Sequence, residues 1–339
     1  MEVLMSNWKD VQSIPPNYIF PPDRRPGKIS FPNCKDIPII DLRKIDGHDD
    51  RSETIQQIIK ACRHFGFFQV IHHGISESLM EEAMSVIREF FQMPGEYKST
   101  YYSTDMNKRC RLFSSTTVYE KEPFHFWRDN LTHHCHPLEE NIQSWPEKPL
   151  RYRVVVSDYS IEVRRFLLMI LGLICEGLGL RPGYFEGELT KTQLFSVNYH
   201  IPCPDPSLTL GMPEHFDPNI ITMVHQLAIP GLQIFKDGEW LGVKTLPNAV
   251  FVIPGLQLKV ISNDLFKSPL HRVIPHATET RTTISSFLVP STDVLIEPAE
   301  VALGNPPVYK AFTYKEFFAA NSGKGWGVVL ESFRQQIPE

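Results

Sequence analysis

The sequence predicts a mixed α/β fold with an all-β jelly-roll core flanked by N-terminal helices, and three observations carry that reading. From Thr192 onward, short β-rich runs follow one another at close intervals, the pattern of a sandwich or jelly roll. Ahead of them, segments with helical periodicity alternate with strand-like runs. A Pro-rich stretch that shows no period precedes both.

In chain order, Pro15, Pro16, Pro21, Pro22, Pro26 and Pro32 mark an irregular arm that wraps over the fold. Ile37 to Leu42 reads as a short strand. Ile55, Ile58, Ile59 and Cys62 then recur at helical spacing behind a Ser52 cap. Phe67 to Ile71 is a β-rich run ended by Gly74, and Ser76 is placed to cap a helix carrying Leu79, Met80, Ala83, Ile87, Phe90 and Phe91 until Pro94-Gly95 stops it. A third helix runs from about Tyr152 to Leu178, ended by Gly177, Gly179 and Pro182. The strands expected next are Leu194–Ile201, Ile220–His225, Leu232–Phe235, Glu239–Val243, Ala249–Ile253, Leu258–Ser262 and Thr283–Val289, with Lys236-Asp237-Gly238 as a hairpin turn. Tyr314 to Phe318, followed by Gly323, Gly325 and Gly327, suggests a helix and a mobile cover. The expected organisation is residues 1–185 packing on a catalytic core at 186–300, with 301–339 as C-terminal helix and candidate cover.

Composition narrows the function. A chain of 339 residues, 42% hydrophobic and 22% charged, suffices for a large core. A net charge of -5 provides no basic field for nucleic acid. The longest apolar run, Phe166 to Ile174, falls short of the roughly 20 residues that span a bilayer. Six scattered cysteines without a CxxC pair, and no signal peptide, lead to the expectation of a cytoplasmic protein with reduced thiols. A monomer acting on a small molecule is expected.

His215-Phe216-Asp217 places an imidazole and a carboxylate at i and i+2, on one face of an extended segment. Alone this is a weak signal, because 13 histidines in a chain with common aspartates generate one by chance. His271, after several intervening strands, can return beside the pair in a jelly roll. Two imidazoles and one carboxylate leave three positions of an octahedral ion open, the ligand set of non-haem iron(II) oxygenases. A dicarboxylate co-substrate would also need a cation for its far end. Arg281 offers a planar fork, and Thr283, on the same strand face, a hydroxyl. A surface arginine is the plainer reading of Arg281 in isolation; its place after a candidate ligand reverses that.

A zinc hydrolase using the same three ligands, and a non-catalytic binding protein, remain alternatives at this point. The rival cluster His133-His134-Cys135-His136 lacks an interleaved acid and a second element, so it reads as structural. His225 and His276 read as packing or surface residues. No Walker loop, strand-borne GxGxxG or GxSxG elbow occurs.

The sequence resembles the plant 2-oxoglutarate- and iron(II)-dependent dioxygenases over nearly its whole length. The resemblance is carried by Ile37-Pro38-Ile39-Ile40-Asp41-Leu42, by Gly66 to Gly74, by Asn198-Tyr199-His200-Ile201-Pro202-Cys203-Pro204, and by the HxD, distal His and Arg. Ser144 to Pro149, Cys175 to Leu180, Arg111 to Ser114 and Phe126-Trp127-Arg128-Asp129 are most similar to the branch of hyoscyamine 6-beta-hydroxylase and the mugineic-acid-forming dioxygenases.

The resemblance implies a double-stranded β-helix, or jelly roll, and oxidation of a small apolar or alkaloid-like metabolite in plant specialised metabolism. The outcome would be hydroxylation, desaturation, epoxidation or demethylation. It implies Fe(II), 2-oxoglutarate and O2, with ascorbate as reductant, and keto-acid contacts from Arg281, Thr283, Asn198 and His200. His200 stands where the family commonly has Tyr, and Thr283 where it has Ser. Phe113, Ser115, Phe124 and Phe126 are the candidate substrate walls, with core packing as the plainer account of the aromatics. Ser114 to Thr117 is uncharged where the tropane hydroxylase has an acidic stretch, which disfavours a protonated-amine substrate.

Overall fold

The computed structural model describes residues 3–8, 11–27, 32–300, 306–321 and 323–335. Twelve of the fourteen strands among the described residues form its two main sheets. The N-terminal half contributes β1 (Ile39–Asp41), β2 (Phe68–Ile71), β3 (Cys110–Ser114) and β4 (Asp129–His136). The remainder are β5 (Thr192–His200), β6 (Met212–His215), β7 (Ile221–Gln226), β8 (Leu232–Lys236), β9 (Glu239–Gly242), β10 (Val250–Pro254), β11 (His271–Val273) and β12 (Arg281–Val289). Eight form one sheet in the order β1-β2-β10-β7-β12-β5-β4-β3, and four form a second, β6-β11-β8-β9. The early strands thus flank both sides of the later ones. Only the β1–β2 pairing is parallel among these strands.

Alternation along the strands decides what each sheet face does. On β12, Arg281, Thr283, Ser285 and Phe287 face a cavity between the two sheets, while Ile284 and Leu288 enter the main core. On β5, Ser196 and Asn198 face the cavity and Phe195 and Val197 the core. The core side is covered by helix Tyr152–Gly177, which also packs against helices His48–His64 and Glu77–Gln92. Buried Met80, Ala83, Met84, Ile87 and Phe91 give the last of these an apolar stripe at helical spacing. Gly177 is required where the helices meet, since a Cβ there would lie 2.6 Å from Ile59 Cγ1.

Several local expectations change. Ser52 does not cap the first helix, which begins one turn earlier with Gly47 in the cap position, directly after a 3-10 turn at Leu42–Asp46. Ser76 occupies its predicted cap position, yet its hydroxyl bonds Ser78 Oγ at 2.7 Å and caps nothing. Leu258–Ser262, expected as a strand, instead forms the end of helix Leu256–Ile261 and its C-cap, Ser262. Every residue of that helix except Lys259 is buried, so the run carries no period by which helix and strand could be told apart.

The Pro-rich arm packs rather than trails, with Met5, Tyr18 and Phe20 buried. Asp129 accepts bonds from the backbone N–H of Met5 at 2.9 Å and of Ser6 at 2.7 Å, and Lys98 Nζ donates to Ser6 Oγ at 2.9 Å. All six cysteines are buried free thiols. Among the described residues no helix is long and apolar enough to cross a membrane.

Candidate active site

His215 closes β6 and His271 opens β11, and the antiparallel register sets them opposite each other with ring centroids 4.1 Å apart. Asp217, just beyond β6, completes the group: its Oδ1 lies 3.7 Å from His215 Nε2 and 3.8 Å from His271 Nε2. The ligand atoms of all three fall within 4.8 Å of one another, and no other such group of three occurs among the described residues.

Each member is held by a further contact. His215 Nδ1 donates to Pro213 O at 2.8 Å and His271 Nδ1 to Pro269 O at 3.1 Å, so both rings keep the Nε2 lone pair for the space they share with Asp217. Burial, with His271 adjacent, holds His215 well below the ordinary imidazole range, which keeps it in the neutral form that binds metal. Asp217 Oδ2 accepts from Thr222 Oγ1 at 2.6 Å, leaving Oδ1 for the histidines' side.

The cavity continues from this triad to Arg281, Thr283 and Asn198. Arg281 is buried, its Nη2 donates to Gln226 Oε1, and its Nε has no partner. Gln226 Nε2 donates in turn to Thr245 Oγ1 at 2.7 Å, which fixes the amide. No carboxylate pairs with Arg281 among the described residues, and burial alone lowers its pKa to about 10, leaving it cationic at neutral pH. A buried guanidinium without an anion is costly unless an anionic ligand completes it. The backbone beside it leaves little room: a Cβ on Gly231 would lie 2.9 Å from Arg281 Nε.

His200 sits opposite Arg281 in the β5–β12 register, but its Nδ1 donates to Trp127 O at 2.8 Å. Burial and the nearby Arg281 charge lower its pKa to about 3, so it is neutral. Its Nε2 has no partner and presents a lone pair, which cannot donate to a carboxylate as a tyrosine hydroxyl would.

The four candidate substrate residues lie outside the cavity lining. Phe124 and Phe126 pack on Phe20, Leu210 and Ile274, the core-packing alternative. Phe113 is buried on β3. Ser115 reaches the cavity indirectly, by accepting a bond from Arg128 Nε at 3.0 Å on its backbone oxygen.

His133, from the rival cluster, is stacked between Trp145 and Phe195 and bonded to Tyr152 Oη at 3.0 Å, a packing role. His225 likewise meets Tyr159 Oη at 3.3 Å. Thr222, Gln226 and Arg128 also belong to the site and carry no local signal in the sequence. The Pro-x-His spacing at Pro213/His215 and Pro269/His271 does carry one, since each proline's carbonyl orients an imidazole.

The 2OG-Fe(II) oxygenase superfamily matches residues 191–290, and the non-haem dioxygenase N-terminal region of morphine synthesis matches residues 37–149. Hyoscyamine 6-dioxygenase of Hyoscyamus niger is 42% identical over 330 residues, 94% of each chain. The chain belongs to the 2OG-Fe(II) oxygenase superfamily. Mugineic-acid 3-dioxygenase of Hordeum vulgare is 38% identical over 311 residues, covering 90% of this oxygenase and 88% of the relative. The crystal structure of JOX2 in complex with 2OG, Fe and JA superposes with a TM-score of 0.86 at 31% identity, covering 99% of this chain and 98% of that one.

The oxygenase is thus a 2-oxoglutarate-dependent dioxygenase that uses Fe(II) and 2-oxoglutarate, with the jelly-roll fold of its relatives. Its residues fit both groups. The triad supplies nitrogen and oxygen donors suited to a divalent ion, and the Arg281 guanidinium, which has no carboxylate partner among the described residues and an unbonded Nε, suits a dicarboxylate.

Proposed function

We propose that His215, Asp217 and His271 hold the iron, that Arg281 and Thr283 take the far carboxylate of 2-oxoglutarate, and that Asn198 and His200 border it. When bound, iron and keto acid together activate dioxygen for oxidation of a substrate C–H bond, with release of succinate and carbon dioxide. The protein's own contribution is position and exclusion of water. Gln226 aims the Arg281 fork, Thr222 aims Asp217, and the two prolyl carbonyls aim the imidazoles. The observation that carries this reading is the single cavity that joins the triad to a buried guanidinium without a carboxylate partner.

The substrate is a small, largely apolar plant metabolite oxidised by hydroxylation or one of its variants. Similarity to hyoscyamine 6-dioxygenase makes an alkaloid one such class, and the mugineic-acid relative and the JA complex point to others. Residues 186–300 carry the iron and keto-acid ligands, the described part of 1–185 packs on them, and the described part of 301–339 meets the ligand loop at Gly327, where a Cβ would lie 2.7 Å from the Phe216 ring. We place the enzyme in the cytoplasm as a monomer.

The test is an incubation of the anaerobically purified chain with Fe(II), ascorbate, 2-oxoglutarate and a plant metabolite extract, opened to air and followed by mass spectrometry. One metabolite should be converted in step with succinate, and Asp217→Ala should abolish both. Unchanged succinate release by that variant, or turnover without oxygen and 2-oxoglutarate, would refute the assignment.

A further inference from the structure

Arg128, immediately before β4, lines the same cavity as the triad and Arg281. Its Nε donates to Ser115 O at 3.0 Å, and its Nη1 donates to Asn198 Oδ1 at 2.7 Å and touches Met212 Sδ at 3.1 Å. Its Nη2 makes no hydrogen bond among the described residues. Burial lowers its pKa to about 10, which leaves it charged at neutral pH.

No carboxylate pairs with Arg128 among the described residues. Glu122, the nearest acidic influence, uses its oxygens on Ser115 Oγ, Thr116 Oγ1 and His125 Nδ1, and does not line the cavity. The charges facing the cavity therefore do not balance. Two guanidinium cations oppose the single carboxylate of Asp217. A divalent iron adds two positive charges and the keto acid removes two, so one positive charge stays uncompensated. Arg281 has the keto acid; Arg128 has no anion.

Resting on the function proposed above, we infer that Arg128 receives a carboxylate of the primary substrate, so that the enzyme acts on a small organic acid in preference to a protonated amine. Its Nη2, which makes no hydrogen bond among the described residues, can donate a charge-assisted bond to a carboxylate oxygen while Nε and Nη1 keep their contacts. An amine would face the uncompensated charge without a partner. Orienting Asn198 does not by itself account for Arg128, because Asn130 Nδ2 already donates to the same Oδ1 at 3.0 Å.

The test uses the full chain loaded anaerobically with Fe(II) and saturating 2-oxoglutarate. Calorimetric titration would compare benzoate, phenylacetate, cyclohexylacetate and 1-naphthoate with their methyl esters and the corresponding primary amines. At least one acid should bind about tenfold or more tightly than its ester and amine, the discrimination a charge-assisted bond provides. Arg128→Gln should remove that preference while the Kd for 2-oxoglutarate stays within about twofold, and Arg128→Lys should retain part of it. If Arg128→Gln does not fold, Arg128→Lys decides through a loss of about fivefold on the acid.

Esters or amines binding as well as the acids would overturn the inference, as would acids that do not bind at all. An Arg128 substitution that weakens 2-oxoglutarate instead would also overturn it, by making Arg128 part of the co-substrate site. If the wild-type chain binds 2-oxoglutarate and the acids fail, only this inference falls; if 2-oxoglutarate itself does not bind, the proposed function falls with it.

Discussion

Asp217 serves three partners with one carboxylate: Oδ1 faces both imidazoles and Oδ2 takes the Thr222 hydroxyl. Thr222→Val keeps the shape and removes that bond, and Fe(II) affinity should fall roughly 10- to 100-fold, the usual cost of losing a contact that orients a ligand. A metal titration with unchanged affinity would show that Asp217 needs no such support. At the other end of the cavity, Arg281→Lys keeps the charge but loses the fork aimed by Gln226. The Kd for 2-oxoglutarate, measured by anaerobic titration, should rise by roughly tenfold to a hundredfold. At this scale the sequence was legible where spacing is local. His215 and Asp217 share a face at i and i+2, and Arg281 and Thr283 do the same on β12. Thr222, Gln226 and Arg128 were not legible as site residues, since their roles depend on partners brought near only by the sheet, such as Asn198 for Arg128.

Among the elements, the turn after β10 carries the tightest constraint. A Cβ on Gly255 would lie 1.9 Å from the backbone oxygen of Asn219, while Leu256 N donates to Asp217 O at 2.8 Å. Gly255→Ala should therefore push the Asp217 loop outward, lowering stability by several kcal/mol, roughly the range of severe backbone and packing changes. Thermal unfolding and Fe(II) titration of the variant should both shift; a normal Tm with normal metal binding would contradict this account of the loop. Most core strands were readable from their β-rich runs. β3 and β4 were not, because β4 places Asn130 and Thr132 beside Ser196 on one face and Leu131, His133 and Cys135 in apolar surroundings on the other. With the polar imidazole of His133 on the apolar face, the alternation by which strands are recognised is broken. The helix at Leu256–Ile261 failed for the converse reason, an apolar run buried on every side.

Across the whole molecule, buried neutral histidines tie stability to pH. Burial lowers His133 and His200 to about 3 and His225 to about 4, whereas unfolded histidines titrate near 6.5. Between those values the unfolded chain binds more protons, so stability is fully present above about pH 6.5 and falls as pH falls, by up to about 1.4 kcal/mol per unit for each group. Urea midpoints measured from pH 7 to pH 4 should decline, and His133→Phe should flatten the decline; an identical slope would remove His133 from the explanation. The jelly-roll class was legible from the rhythm of the later strands, whereas the joining of β1 to β4 into the same large sheet is a long-range pairing that no local pattern announces. One cavity between the two sheets is proposed to hold the metal on His215, Asp217 and His271 and the keto acid on Arg281. Anaerobic crystals grown with Fe(II) and 2-oxoglutarate, measured at the iron edge, decide whether it does. One anomalous peak is expected among the two Nε2 atoms and Asp217 Oδ1, with the far carboxylate of the keto acid against the Arg281 guanidinium. A peak at the His133–His136 cluster, or a keto acid seated on Arg128 instead, would contradict it.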